Sequence, residues 1–480
     1  MSIKKISARM PAAACPVCAP LRSWIFQPFA LAQYLKNKRG FFWLDSGDEG
    51  LGWSYLGFEP VHRAQWDNGN WVVKSQSGVQ ITAGPAFEGL QRQLDMRWQK
   101  SFKVDPVPGE PPFKGGWLAN FSYDLGREIE TVPKTGKNDL QAPGIRIAFY
   151  ETVFAYDHDR KIWWCCQLAS AGAEALDKME HELSTAVLTY TEPNARQAEP
   201  FDTKVKSNFT KTNFKRAVRK ALGYIRKGDI YQVNLSQRLE APWHGTAFDL
   251  YKRLREESPA LYGAFVDMGD GFSVCSVSPE LFLSRRARKI VTRPIKGTRP
   301  RGDSPEEDAH LASELMRSPK EKAELVMIVD LERNDLGRVC EYGSIRVEVP
   351  SELETHPTVL HQVATVTGTL REGLTNSELL RATFPGGSVT GAPKIRAMQI
   401  IEELEPTWRG AYCGALGWIG ANGDLDLNLP IRTALVDSKM KKAWYQAGSG
   451  IVADSDPDHE YEETLVKARA FYRAVGADVP

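Results

Sequence analysis

Apolar and polar positions alternate in two textures along the chain. In its early part, short aromatic and β-branched runs are punctuated by Gly and Pro, and they predict strands over 41–44, 69–73 and 145–150. The dipeptides Asn68-Gly69 and Asp270-Gly271 carry hairpin-turn chemistry, because both residue types tolerate positive φ. Helical periodicity is sparse here and is carried by 87–99 and 172–189. Residues 1–20 show no period and read as an irregular tail, while the polar stretch 191–207 reads as a linker. The predicted organisation is a tail at 1–20, a strand-rich part at 21–200 and a larger unit at 201–480.

Beyond the linker, long helices fall between strands. In 213–228, Phe214, Val218, Leu222 and Ile225 recur on one helical face, and Lys215, Arg216, Arg219, Lys220, Arg226 and Lys227 occupy the rest. That predicts an amphipathic helix with a solvated basic side. Strands are predicted over 230–239, 261–266, 272–277, 289–295, 344–349, 413–419, 425–429 and 443–451. Hairpins among these, rather than strict strand–helix alternation, point to an α+β fold and against a doubly wound parallel sheet.

Composition narrows the function classes. The 480 residues carry 61 Lys+Arg against 60 Asp+Glu, a net charge of +1, which offers no electrostatic footprint for nucleic acid or an anionic membrane. With 13 Trp, 15 Tyr and 20 Phe the chain has ample material for a core, and no apolar run reaches the length of a membrane span. Lys4, Lys5 and Arg9 before Pro11-Ala-Ala-Ala14 hint at a secretory leader, but the apolar stretch is short and broken by Pro11. Seven scattered cysteines make no disulfide framework. Cys15 and Cys18 have metal or redox spacing without a second pair, so they read as incidental thiols in the tail. A cytoplasmic location is the expectation.

Four segments of the second half could carry chemistry. Ser318-Pro-Lys-Glu321 opens a helix to about residue 335, with a capping box that accounts for Glu321 but leaves Glu324, on the same face, unexplained. Asp456 caps a second helix, on which Glu460, Glu463 and Lys467 form one polar stripe. Glu463 with Lys467 reads equally as an exposed i,i+4 pair, yet two helices that each offer an i,i+3 carboxylate pair also suit a hard divalent cation. Phe384-Pro-Gly-Gly-Ser-Val-Thr-Gly-Ala-Pro-Lys394 is a glycine-rich loop before a helix. Ala392 stands where a phosphate loop requires Lys, which leaves a small carboxylate or a close backbone contact. Arg293, Lys296, Arg299 and Arg301 crowd one strand end: either a basic surface loop, or a setting in which burial and the neighbouring arginines depress the Lys296 amine into a nucleophile.

Together these segments resemble the chorismate-utilising enzymes across nearly all of 205–475. The resemblance is also carried by Asp229-Ile-Tyr-Gln-Val-Asn-Leu-Ser-Gln237, Ser276-Val-Ser-Pro-Glu280, Val329-Asp-Leu-Glu-Arg-Asn-Asp-Leu-Gly337, Leu427-Asn-Leu-Pro-Ile-Arg-Thr433 and Ala447-Gly-Ser-Gly-Ile-Val-Ala-Asp-Ser455. It is loose over 21–200. It implies a sandwich of β-sheets packed centrally with helices outside. Lysine in Pro294-Ile-Lys296-Gly-Thr298 resembles the branch that aminates chorismate at C4; the anthranilate, salicylate and isochorismate branches usually carry Ala there. Gln232 replaces the Lys that the water-adding branches resemble one another in carrying.

By that resemblance Mg²⁺ is held by Glu324 and Glu463, with Glu321 and Glu460 acting directly or through water. Glu280 is the implied general acid for the 4-hydroxyl and Lys296 the implied nucleophile at ring C2. Arg432, Lys467, Tyr412 and the Gly450 backbone are the implied clamp on the enolpyruvyl carboxylate, and His361 and Thr298 further ring contacts. Ammonia is expected from a separate glutamine amidotransferase subunit, with no amidotransferase fused into the chain and no lyase domain after Pro480. The rival readings are an anthranilate-forming component and a noncatalytic chorismate-binding subunit. Three departures from the family pattern stand out. Pro430 could disturb the strand of Arg432, Leu325 stands beside a metal candidate, and Asp45-Ser46 replaces Glu-Ser in a tryptophan-binding or feedback pocket.

Overall fold

The computed structural model describes residues 17–21, 24, 26–47, 52–75, 77–96, 107–168, 203–356 and 359–480. The segments 172–189 and most of 191–207, read above as a helix and a linker, lie outside the described residues, as does Cys15. The fold is α+β, built on two large sheets whose strand pairings are all antiparallel.

The first sheet runs in the order Val17–Leu21, Ile162–Gln167, Thr152–Asp157, Trp53–Gly57, Phe42–Asp45, Tyr262–Gly269, Phe272–Ser278, Thr433–Asp437, Lys442–Ile451, Gln232–Pro242 and Lys206–Ser207. The second runs Ile295–Pro300, Val359–Thr369, Lys289–Arg293, Leu281–Arg286, Leu425–Asn428, Ala415–Gly420, Gly116–Phe121, Ile145–Tyr150, His62–Asp67, Asn70–Ser75 and Gly78–Ala83. Early and late strands pair directly in both: Phe42 stands opposite Val266, and Trp418 opposite Leu118.

Alternation along single strands explains the packing. Phe42, Leu118, Tyr150 and Trp418 belong to a core between the sheets, whereas Trp43 and Trp117 point to the opposite faces, into separate cores. Because both faces are covered, strands such as Gly116–Phe121 are buried at every position and read as near-continuous apolar runs. The helix Pro319–Gly337 packs against Val359–Thr369 of the second sheet, and Pro457–Ala474 against Lys442–Ile451 of the first. The site candidates therefore come from both sheets and from the helices laid on them.

The turn chemistry appears as predicted: Asn68 and Gly69 adopt φ of 45° and 81° between paired strands, and Asp270 and Gly271 adopt 56° and 94°. Other expectations are corrected. Residues 17–20, read as tail, begin the strand Val17–Leu21, and Cys18 is joined to Cys166 across the pairing of that strand with Ile162–Gln167. A partner 148 residues away has no local signature, which is why Cys18 reads as a spare thiol in the sequence. The strand expected over 289–295 is two, Lys289–Arg293 and Ile295–Pro300, divided at Pro294, whose missing N–H cannot continue a ladder. Pro430 falls in the connection between Leu425–Asn428 and Thr433–Asp437, so it removes no ladder donor from the strand after Arg432. Leu325 is buried in the core rather than beside the carboxylates.

Candidate active site

Lys296 lies on the strand Ile295–Pro300, and its surroundings separate the two readings of the basic run. Arg293 pairs with Glu352 and Glu354, Arg299 with Glu314 and Glu321, and Arg301 with Asp308. The three arginines are thus turned to carboxylates, while Lys296 Nζ reaches inward and donates to the Ser388 carbonyl at 3.3 Å. Burial pushes its pKa down, opposed by the charges of Glu324, Glu280 and Glu463 and reinforced by Lys467. The depressing neighbour is therefore Lys467, not the arginines.

Glu280 follows the strand Phe272–Ser278 and is buried. Its Oε1 accepts a 2.6 Å hydrogen bond from Ser388 Oγ. Burial raises its pKa to about 7, against the lowering effects of that bond and of the Lys296 charge. A carboxyl that ionises near neutrality suits proton transfer to a leaving hydroxyl. Ser388 thus touches both candidates, through its hydroxyl and its carbonyl. It was not singled out in the sequence, although it sits in the glycine-rich loop that was.

That loop resolves in favour of close packing. A side chain at Gly387 would meet Leu331 and Glu332, one at Gly391 would meet the Gln232 backbone, and the Gly387 N–H donates to Glu332 Oε1 at 3.1 Å. The carboxyl on the loop is the protein's own. Buried Glu332 has its pKa raised to about 8 by burial and by Asp335. Lys394, at the loop's end, is held by Asp335 and by the carbonyls of Thr383 and Pro385.

The helix candidates lie close to this centre. Of the predicted capping box one half forms: the Ser318 side chain accepts from Glu321 N, but the Glu321 carboxylate turns to Arg299 at 3.3 Å while Ser318 N donates to the carbonyls of Glu314 and Leu315. Glu324 has its pKa raised by burial, with Glu321 and Glu463 adding like charge and Lys296 and Lys320 opposing. Glu460 is buried and raised in the same sense, first by burial, and its Oε2 has no hydrogen-bond partner among the described residues. Glu463 and Lys467 form the exposed 2.7 Å pair, and Lys467 Nζ also donates to the Gly448 carbonyl at 3.0 Å. Among the described residues no three His, Cys, Asp or Glu side chains are gathered in metal-holding geometry. The donor set still fits a hard cation. It is all carboxylate, the charges of its neighbours help raise the pKa of Glu324 and of Glu460, and one buried oxygen lacks a partner among the described residues.

A second group lies beside the first. Thr298 Oγ1 and His361 Nδ1 are 2.9 Å apart, and buried His361 has its pKa lowered to about 3 by burial and by the Arg432 charge. Its imidazole is neutral at working pH, with Nε2 unpartnered among the described residues. Arg432, at φ 49°, has a pKa lowered by burial and forms no ion pair among the described residues; its Nη1 is 3.4 Å from Ser258 Oγ. A buried guanidinium without a carboxylate is set to receive one from a ligand. The Tyr412 hydroxyl stands over Gly448, and a side chain at Gly450 would meet Gln232 Nε2 at 2.6 Å. Gln232 Oε1 and Asn234 Nδ2 are also buried without partners among the described residues. Each such atom costs about 1–3 kcal/mol unless a ligand or water satisfies it.

The family model described as chorismate binding enzyme matches residues 39–473. The chain belongs to that family. A relative named aminodeoxychorismate synthase component 1, from Bacillus subtilis, is 38% identical over 426 residues, covering 88% of this chain and 89% of its own. Anthranilate synthase component 1 of Thermus thermophilus is 43% identical over 378 residues, covering 77% and 79%. The solved anthranilate synthase component I from Streptococcus pneumoniae superposes with a TM-score of 0.76 at 32% identity, covering 88% of this chain and 92% of that one. This protein is a chorismate-utilising enzyme, and the sandwich expected for the family is the one observed. Among the described residues no helix is long and apolar enough to cross a membrane.

Proposed function

We propose that this enzyme aminates chorismate at ring C4 to give 4-amino-4-deoxychorismate. The observation that carries the reading is the triple of Glu280, Ser388 and Lys296, in which one backbone-anchored serine touches a carboxyl titrating near neutrality and an amine depressed by burial. Neutral Lys296 Nζ attacks C2, the ring double bond shifts, and the C4–O bond breaks. Glu280 gives its proton to the departing hydroxyl, which leaves as water. Ammonia then adds at C4, the double bond returns, and the C2–N bond breaks with its electron pair restored to Lys296. The new C4 ammonium returns a proton to Glu280, so the cycle consumes chorismate and ammonia and yields product and water.

Arg432, Lys467, Tyr412 and the Gly450 backbone would hold the enolpyruvyl carboxylate, with Thr298 and His361 against the ring. Mg²⁺ would be held by Glu324 and Glu463, with Glu321 and Glu460 directly or through water, and when bound it neutralises the ring carboxylate and draws electron density from the ring. The component 1 names of both relatives support a second subunit, a glutamine amidotransferase that delivers the ammonia. A role in the cytoplasm, on the route to 4-aminobenzoate and folate, follows from the same reading.

The second reading, anthranilate formation with loss of pyruvate, is favoured by the 43% identity to the Thermus thermophilus relative. Lys296, where that branch usually carries Ala, argues for C4 amination with the enolpyruvyl group retained. A purely binding subunit would have no need of Glu280 or of the helix carboxylates. The deciding experiment is a mass-resolved product assay with chorismate, Mg²⁺ and ammonium salt. An amino product that keeps the enolpyruvyl group supports the proposal, anthranilate plus pyruvate puts the second reading in its place, and binding without turnover leaves only the subunit.

A further inference from the structure

A cavity of about 50 Å³ lies between the two sheets, away from the residues considered so far. One wall is a pair of cross-strand rows on the second sheet. In the first row Arg63 stands between Lys74 and Ala148, and in the next Arg146 stands between Gln65 and Asn120. Residues directly opposite in an antiparallel sheet point to the same face, so three cations are presented together. The other wall is the Tyr262–Gly269 and Phe272–Ser278 hairpin of the first sheet, at its Val266, Asp267, Met268 and Asp270 end.

Neither arginine on these walls forms an ion pair among the described residues. Asp267 has both carboxylate oxygens occupied by backbone N–H groups, from Gly40 at 2.8 Å and Gly269 at 2.9 Å. Asp270 stands 3.5 Å from Lys74 at the half-exposed mouth. Arg146 spends Nη1 on a long 3.4 Å bond to the Met268 carbonyl and lies over the Phe272 ring. Among the described residues Arg63 Nη2 and Arg146 Nε are buried without acceptors, and Asn120 Oδ1 is buried without a donor. Asp67, on the same strand face as Arg63, also bears on Arg146, so three cations face three acids, and what remains open are two donors and one acceptor. Unpaired buried donors on adjacent like charges are costly, and an anion seated between them would relieve that cost.

We propose that this cleft binds a small hydroxycarboxylate, whose carboxylate bridges Arg63 and Arg146 and whose hydroxyl donates to Asn120 Oδ1. Two arginines that form no ion pair among the described residues suit one carboxylate, and the cavity admits only a few heavy atoms. The Ala148 and Val266 surfaces take the short apolar part. This inference does not rest on the reaction proposed above, because none of these residues belongs to that site.

The test is calorimetric titration of the full chain with lactate and with propanoate, at matched ionic strength and without chorismate. Saturable binding of both is expected, tighter for lactate. Arg146→Gln or Arg63→Gln should weaken both by about tenfold or more, and Asn120→Ala should abolish the preference for lactate. Absence of saturable binding at millimolar ligand, or binding that the arginine variants leave unchanged, overturns the proposal. Should those variants fail to fold, Ala148→Leu fills the cavity from a partly exposed position. Unchanged lactate affinity in that variant overturns the proposal equally, whatever the product assay has shown.

Discussion

Ser388 Oγ lies 2.6 Å from Glu280 Oε1, a bond that ties the glycine-rich loop to the candidate acid across 108 residues of sequence. A hydroxyl donating to a carboxylate favours its charged form. Ser388→Ala should therefore raise the Glu280 pKa above its present value of about 7. Since a general acid must be protonated to act, the alkaline limb of the kcat/KM profile should begin near pH 7 and move to higher pH in the variant. A limb that stays in place would detach Glu280 from the proton transfer.

Replacing the acid should cost far more than moving its pKa. Glu280→Gln keeps the shape and removes the proton, and a general acid commonly contributes about 10²–10⁴-fold to rate. Chorismate binding, followed by quenching of intrinsic fluorescence, should change little. A variant within threefold of wild-type turnover would transfer the role elsewhere.

The same burial has a stability signature. With a folded pKa near 7 against an unfolded value of 4.5, Glu280 binds a proton more tightly in the folded chain. Its favourable contribution is complete below pH 4.5 and is lost as pH rises through 7. The span corresponds to at most about 3 kcal/mol. Glu332, raised to about 8, works in the same direction. Urea denaturation across pH 4.5–8 should show wild type losing stability with a steeper slope than Glu280→Gln. Parallel curves would mean that the carboxyl is not held neutral.

Much of this arrangement was legible in the sequence where local chemistry carries it. The Asn68-Gly69 and Asp270-Gly271 turns, the Ser318 and Asp456 caps and the amphipathic helix Lys211–Arg226 follow from neighbours a few residues apart. The strands Leu281–Arg286, Val359–Thr369 and Thr433–Asp437 were not predicted. Val359–Thr369 is buried along most of its length yet carries His361, Gln362, Thr365 and Thr367, so it shows neither alternation nor an unbroken apolar run. The contacts of Ser388 with Glu280, Lys296 with the Ser388 carbonyl and Cys18 with Cys166 join segments about a hundred residues apart or more. No period or spacing reports such pairings. The family resemblance supplied the Glu280 and Lys296 roles, and the geometry adds why their pKa values approach one another.

The covalent role of Lys296 makes a product-level prediction. Lys296→Ala should abolish any lysine adduct seen by intact-protein mass spectrometry after acid quench with chorismate. It should also lower formation of the amino product, and the small side chain opens room for another nucleophile at C2. An undiminished rate of the same product would sink the covalent step while leaving Glu280 untouched.

Glu460 offers the sharpest handle on the metal. Its Oε2 is buried without a partner among the described residues, and burial raises its pKa, both of which a bound cation would reverse. Glu460→Gln should raise the Mg²⁺ concentration needed for half-maximal turnover by about 10–100-fold, with maximal rate partly recovered at saturating Mg²⁺. Glu463→Gln tests the same idea from an exposed position where folding is not at stake. If neither variant shifts the Mg²⁺ titration, the carboxylate stripe belongs to the Glu463–Lys467 pair alone.

Asp45 departs from the family's usual Glu in the expected amino-acid pocket, and its surroundings assign it a structural duty instead. It is buried, pairs with Arg255 Nε at 2.5 Å, and accepts from the Tyr251 hydroxyl at 2.7 Å and from Gly47 N at 2.9 Å. The carboxylate is thus spent within the protein, while neighbouring Ser46 joins Ser54 and, through it, His158. Removing one partner of a buried pair strands the other charge, so Asp45→Ala should lower unfolding free energy by about 3–5 kcal/mol. Asp45→Glu must either push Arg255 aside or redirect its longer chain, and should cost less. Tryptophan should protect neither variant against thermal unfolding, and should not inhibit the wild-type enzyme through Asp45. A tryptophan-dependent rise in Tm that vanishes in Asp45→Ala would return this residue to the pocket.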